Sequence, residues 1–183
     1  MRNWQIGLSI AFSSLAFSTP VKADLAVGAD APSFTTRAAI AGREMGFSLA
    51  AALRKGPVVL YYYPKAFTSG CTLEANAFAE AMPDFREAGA SVIGMSNDDI
   101  ATLLRFSKEE CRDAFPVGMA SESLIAAYDV ALGTSGLASR TSYVIASDGR
   151  VAFSIPIAII ANMSPRRLPL CVRSPNRRPA FTI

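Results

Sequence analysis

Hydrophobic positions along the chain follow two spacings, and the switches between them mark the elements. Residues 58–63 (VVLYYY) form a near-continuous apolar run rich in β-formers, the pattern of a strand buried on both faces. Upstream, residues 47–54 read as a short helix stopped by Lys55-Gly56-Pro57. After a polar loop, residues 71–86 take helical character, and Gly89 closes them. Residues 91–95 predict a second strand. Asp98 and Asp99 offer caps for a following helix, on which Ile100, Leu103, Leu104, Ser107 and Cys111 share one face. Residues 114–119 predict a short strand, 121–128 a helix, and 140–145 with 151–155 a hairpin around Ser147-Asp148-Gly149. Strands alternating with helices imply βαβ units: an α/β protein with a mostly parallel centre and antiparallel strands from the final hairpin.

The two ends depart from this pattern. Arg2, an apolar run over residues 6–17 and Val21-Lys22-Ala23 make residues 1–23 read as a secretory signal with cleavage after Ala23. The run is too short to span a bilayer comfortably, so no stable membrane span is expected after cleavage, and the location is expected to be periplasmic or secreted. Residues 154–183 are rich in Pro and Arg and contain no acid. A neighbouring reading frame after Ser154 permits an amphipathic helix, so a frameshifted end is expected there. The globular domain is expected over residues 24–153.

Composition narrows the chemistry. The 183 residues are 51% apolar and 18% charged, which suits one globular domain. The chain has no His, which removes Ser-His-Asp and Cys-His triads, HExxH zinc sites and imidazole bases. Three Cys, at 71, 111 and 171, are too few for a disulfide-stapled scaffold, and no C-x-x-C occurs. The net charge of +3 misleads: between residues 24 and 150 there are 11 basic against 15 acidic side chains. A nucleic-acid partner would rest on the two ends alone and is not expected.

The chemically informative stretch is Tyr63-Pro64-Lys65-Ala66-Phe67-Thr68-Ser69-Gly70-Cys71-Thr72-Leu73-Glu74. It leaves a buried strand, passes a Pro-anchored loop and opens a helix at Cys71. A thiol in the first turn of a helix meets unpaired N–H groups and the positive end of the macrodipole. Both favour the thiolate, and cysteines so placed fall from ~8.5 into roughly the 3.5–7.5 range without help from a His. Thr68 can set a hydroxyl beside the sulfur, and Pro64 can close one side of the pocket. On spacing alone, Cys71 reads as a small buried hydrophobe, the usual fate of a free Cys.

The pattern Pro64, Thr68, Cys71 with Glu74 following resembles the P-x-x-x-T-x-x-C motif of peroxiredoxins, the alkyl hydroperoxide reductase/thiol-specific antioxidant family. It is most similar to the Q-type branch, also called bacterioferritin comigratory protein. The resemblance runs from Val27 to Phe153 and takes in residues 94–99 and the Arg140-Thr141-Ser142-Tyr143-Val144-Ile145 strand. It implies a thioredoxin fold, a central mixed sheet flanked by helices, whose usual C-terminal helix is lost or replaced here. It also implies a thiol-dependent peroxidase that reduces hydrogen peroxide and small organic hydroperoxides through a thiolate/sulfenic acid cycle. In that reading Cys71 is the peroxidatic nucleophile and Thr68 holds the peroxide. Arg140 stabilises the developing charge, Glu74 orients an Arg, and no metal or organic cofactor is required.

The resolving step departs from the family. Many Q-type members carry a second Cys five residues after the first, where this chain has Asn76. Cys111 is the substitute candidate, because some relatives resolve from the following helix. It reads equally as a core residue beside Ile100, Leu103 and Leu104, which would leave a one-Cys cycle. The expected reductant is a thioredoxin-like protein or a low-molecular-weight thiol, and the expected assembly a monomer or homodimer. Two other readings stay open: a thioredoxin-like disulfide oxidoreductase, disfavoured without C-x-x-C, and a non-catalytic product of a damaged gene. Gly133-Thr134-Ser135-Gly136 matches a phosphate loop only loosely. The tyrosines at 61–63 read as strand core, and Asp98-Asp99 as capping rather than metal binding.

Overall fold

A computed structural model describes residues 24–156, with Ile155 and Pro156 as backbone only. The expected signal segment and most of the tail, including Cys171, lie outside the described residues. In chain order the elements are β1 (Thr35–Ile40), β2 (Arg43–Ser48), α1 (Leu49–Leu53), β3 (Val58–Tyr62), α2 (Ser69–Glu87), β4 (Ser91–Ser96), α3 (Ile100–Glu109), β5 (Val117–Met119), α4 (Glu122–Ala127), β6 (Thr141–Ile145) and β7 (Val151–Pro156).

The strands make one sheet in the order β2-β1-β5-β4-β3-β6-β7. Its centre, β5-β4-β3, is parallel, and the outer pairings are antiparallel. This is the mixed, helix-flanked α/β sheet expected of a thioredoxin fold.

β3 is the axis of the molecule, and every one of its residues is buried. Val59, Tyr61 and Tyr63 face one apolar cluster with Cys71, Phe78, Phe85, Leu103, Phe106 and Cys111. Val58, Leu60 and Tyr62 face the other, with Leu49, Ile125 and Tyr128. The period of two along a strand sorts the side chains to opposite faces. Each large side chain so removed from water contributes roughly 1.5–3 kcal/mol of transfer free energy, which explains why an unbroken apolar run occupies the centre.

The β1–β2 hairpin is absent from the periodicity reading. Thr35, Thr36, Ile40 and Phe47 are its β-formers, and they are interspersed with Ala, Arg, Glu, Met and Gly rather than forming a run. Its two-residue turn, Ala41-Gly42, has φ of 52° and 69°, a conformation more commonly announced by Asn-Gly. Tertiary pairing with β5 and the Arg37–Glu44 ion pair hold it in place. Two boundaries also move. Phe47 and Ser48 end β2 rather than starting a helix; Ser48 caps α1, its hydroxyl accepting from the Ala51 N–H. The strand expected at 114–119 contracts to Val117–Met119.

Cys111 needs correction as well. α3 stops at Glu109, so Cys111 sits in the turn beyond it rather than on the helix stripe. Its amide donates to the Phe106 carbonyl at 3.0 Å, and Arg112 and Asp113 follow with φ of 50° and 57°. Left-handed backbone cannot continue the helix, and the turn swings the thiol back into the core.

Candidate active site

The site forms where β3 hands over to α2. Tyr63 is still tied to β4, its amide donating to Met95 O at 3.0 Å. The loop then turns through Pro64 and is braced by Asp98, whose Oδ2 accepts from the Ala66 N–H and the Ser96 hydroxyl, both at 2.8 Å. Only Asp99 caps α3, its carboxylate accepting from the Thr102 amide at 2.7 Å. Of the two adjacent acids expected as caps, one is a loop brace. A helix has a single N-cap position, and that was the available signal.

Phe67 adopts φ of 61° and anchors the loop to α3. Its ring meets Phe106 edge-on at 5.3 Å, with the Arg105 guanidinium 5.0 Å above it. Thr68 is the N-cap residue of α2, but its side chain caps nothing. The Thr68 hydroxyl instead donates to the Lys65 carbonyl at 3.0 Å, bracing the loop from the exposed side. The first amides of a 19-residue helix are therefore without a side-chain acceptor, and Cys71 lies in that turn. Cys71 is 1% exposed and is a free thiol, as is Cys111.

Arg140, immediately before β6, reaches across to this turn. Its Nη1 donates to Glu74 Oε1 in an ion pair, and Cys71 also acts on the guanidinium, favouring its charge. Partial burial works against its charge. The Glu74 hydrogen bond and the nearby Cys71 and Glu74 more than offset it and hold Arg140 above the usual arginine range. Burial pushes the Glu74 carboxyl above its ordinary range, and Arg140 pulls it back only in part. Glu74 Oε2 is buried without a partner, consistent with that direction.

Gly70 makes the arrangement sterically possible, and sequence reasoning did not single it out. A Cβ there would stand 2.6 Å from Arg140 Nη2 and 3.1 Å from Cζ. The available signal was a helix-disfavouring Gly just before the Cys, where the propensity loss needs a compensating reason.

Cys71, Glu74 and Arg140 thus come together at the first turns of α2, and the Pro64–Thr68 loop leads into that helix. Cys111 shares the same apolar cluster, fully buried. Burial, with a smaller contribution from Glu110, pushes its thiol far above the usual cysteine range. Among the described residues no three His, Cys, Asp or Glu side chains converge as metal ligands. An open groove of about 800 Å³ between the start of β1 and α4 is lined by none of these site residues.

Chemically, the arrangement places a sulfur nucleophile between helix amides and a guanidinium. Such a centre stabilises anionic sulfur and an anionic leaving group at once.

Residues 27–154 match the AhpC/TSA family. Peroxiredoxin Q, chloroplastic, of Oryza sativa subsp. japonica is 42% identical over 83 residues, 45% of this chain and 36% of that protein. The chain thus spans about a third of the length of that relative. A peroxiredoxin relative of Mycobacterium tuberculosis is 35% identical over 106 residues, 56% of this chain and 69% of that protein. Among solved structures, peroxidoxin BcpB from M. tuberculosis superposes with a TM-score of 0.68 at 28% identity, covering 83% of this chain and 98% of that one. The reduced 2-Cys peroxiredoxin of Plasmodium vivax gives 0.65 at 25% identity, covering 71% of each chain.

Proposed function

The chain belongs to the AhpC/TSA family, and from that premise we propose that it is a thiol-dependent peroxidase acting on hydrogen peroxide and small organic hydroperoxides. The observation that carries this reading is Arg140 held by Glu74 against Cys71 at the uncapped start of α2. The Cys71 thiolate attacks one peroxide oxygen in line with the O–O bond. The S–O bond forms as O–O breaks, leaving a sulfenic acid and an alkoxide or hydroxide that leaves as alcohol or water. Arg140 and the first-turn amides stabilise the charge as it passes from sulfur to oxygen. The Thr68 hydroxyl already donates to Lys65, so its oxygen holds the peroxide by accepting from it. Pro64 limits water at the sulfur.

Cys111 resolves the sulfenic acid as a disulfide, which a thioredoxin-like protein or a low-molecular-weight thiol then reduces. The shared cluster of the two thiols supports this. The protein is a monomer or homodimer and is exported, periplasmic or secreted, with cleavage after Ala23. Arg2, the apolar run at 6–17 and Val21-Lys22-Ala23 support export.

Peroxide consumption with dithiothreitol tests the reading. The parent protein turns over and Cys71→Ser does not; equal turnover by Cys71→Ser would sink it. With a protein dithiol as reductant, Cys111→Ser stalls; full turnover would remove Cys111 as resolver. A second reading, a non-catalytic product of a frameshifted gene, is favoured by the family match ending at residue 154 while the chain runs to 183. Gene sequencing beyond codon 154 decides it.

A further inference from the structure

The tyrosine run of β3 sets three phenols in the core, and the Tyr61, Tyr62 and Tyr63 hydroxyls are all buried without a hydrogen-bond partner. A buried hydroxyl left without a partner is destabilising. Phe at these positions would fill the same space without that cost, so the hydroxyls need a reason.

Alternation along β3 divides them. Tyr62 points to the face of Tyr128 and Tyr143, whereas Tyr61 and Tyr63 point to the face holding both thiols. Their rings stack on each other at 5.3 Å. Tyr61 also stacks on Phe78 at 4.3 Å, seven residues along α2 from Cys71 and on its buried side. Tyr63 stacks on Phe106 at 5.5 Å, and the Phe106 carbonyl holds the Cys111 amide. Tyr61 meets Phe115 edge-on at 5.9 Å, in the cluster that also holds Cys111. The Tyr61 hydroxyl lies over Gly94, where a Cβ would come within 2.9 Å of it. Cys111 and Cys71 both act electrostatically on the Tyr61 and Tyr63 hydroxyls, and Cys111 more strongly than Cys71 in each case. Tyr63 also lies beside Ser96, whose hydroxyl donates to Asp98 and keeps a lone pair able to accept from the Tyr63 O–H.

We propose that Tyr61, with Tyr63 beside it, relays the proton of the Cys111 thiol to the hydroxyl departing from oxidised Cys71. The inference rests on the reading of Cys71 as the oxidised thiol and Cys111 as its resolver. In that step the Cys111 sulfur attacks the Cys71 sulfur, forming S–S and breaking S–O. The Cys111 sulfur is oxidised, the Cys71 sulfur is reduced, and the thiol proton leaves with the hydroxyl as water. The chain has no His, and the Glu74 carboxyl is tied to Arg140 through Oε1, with only Oε2 unpartnered. A phenol suits the task because its oxygen accepts one proton as its O–H gives up another. The relay needs no charged base in an apolar cluster, where charge is costly.

A single-turnover experiment on the full chain tests this. Stoichiometric hydrogen peroxide is added without reductant, the reaction is quenched with acid and N-ethylmaleimide, and sulfenic acid and disulfide are counted by mass spectrometry. In Tyr61→Phe, Cys71 oxidation stays as in the parent and the melting temperature is held or raised, whereas disulfide formation slows at least about tenfold and sulfenic acid accumulates. The parent's disulfide step is slower in D₂O, and that sensitivity diminishes in Tyr61→Phe. Tyr62→Phe, which removes an equally buried hydroxyl from the opposite face, forms the disulfide at the parent rate. Unchanged disulfide formation in Tyr61→Phe, or equal slowing in Tyr62→Phe, overturns the relay alone. Oxidation of Cys71 with no Cys71–Cys111 disulfide in the parent overturns the relay together with the resolver reading. A Cys71 that does not oxidise overturns the peroxidase reading as well.

Discussion

Cys71 and Cys111 are buried to nearly the same degree, 1% and 0% exposed, in one apolar cluster, yet their surroundings oppose each other. Cys71 opens a long helix and is met by a guanidinium. Cys111 follows the end of α3, its own amide bonded to Phe106, in a cluster rich in aromatic rings where burial and the Glu110 carboxylate weigh against its thiolate. Burial by itself penalises a thiolate at either place. What separates them is whether the fold supplies positive charge and free amides, so depth in the core says little about a cysteine's chemistry.

Removing the cation attacks that contrast most directly. Arg140→Leu is expected to lower the second-order rate of Cys71 oxidation by about 10²–10³-fold, the range found on removing one charge-stabilising donor. Stopped-flow peroxide consumption reads it, and a rate within a few-fold of the parent would remove Arg140 from the chemistry. Folded protein should also distinguish the thiols towards iodoacetamide at neutral pH. Cys71 is alkylated at least about a hundredfold faster than Cys111, because burial holds the Cys111 thiol protonated and the thiolate is the reactive form. Peptide mapping over time checks this, and equal labelling would erase the contrast.

Gly70→Ala sharpens it without removing a charge. The added Cβ displaces the flexible end of Arg140, and peroxide reduction is expected to fall about tenfold. Stability is held or raised by up to about 1 kcal/mol, since Ala favours the helix. Activity and melting temperature moving in opposite directions is the signature to look for.

Glu74→Gln gives the smallest effect, on stability against pH. Burial raises the folded Glu74 above its ordinary 4.5, so its contribution to stability is complete below that value and is lost as pH rises through the folded value. Gln mimics the neutral acid. The variant should therefore gain on the parent at neutral pH, with the gain fading as pH falls towards 4. Denaturant melts at pH 7 and pH 4 read the difference, and a gain confined to the acid side would reverse the assignment.

Local signals made much of the site legible. β3 is an apolar run, α2 begins where a Pro-anchored loop ends, and Cys71 falls in the first turn. Each of these rests on neighbours a few residues apart. The β1–β2 hairpin was not legible because small and polar residues become strands there only by pairing with β5. Asp98 was misread because its partners, Ala66 and Ser96, come together only when β3 and β4 are adjacent. Cys111 was placed on a helix face because apolar spacing continues past Glu109, and the left-handed turn at Arg112 and Asp113 carries no Gly to announce it.

The sequence by itself determined a buried central strand, a helix-opening cysteine, the absence of imidazole chemistry and the family motif. The first three depend on composition and on periodicities of two and 3.6 residues, and the last on a resemblance carried by Pro64, Thr68 and Cys71. Only the tertiary structure decided that Gly70 makes room for Arg140, that Glu74 lies 66 residues from the Arg it holds, and that two tyrosines face both thiols while their neighbour faces away. Electrostatics and packing act through space. The pairs that matter here are separated by whole strands along the chain, a distance at which sequence spacing carries no geometric information.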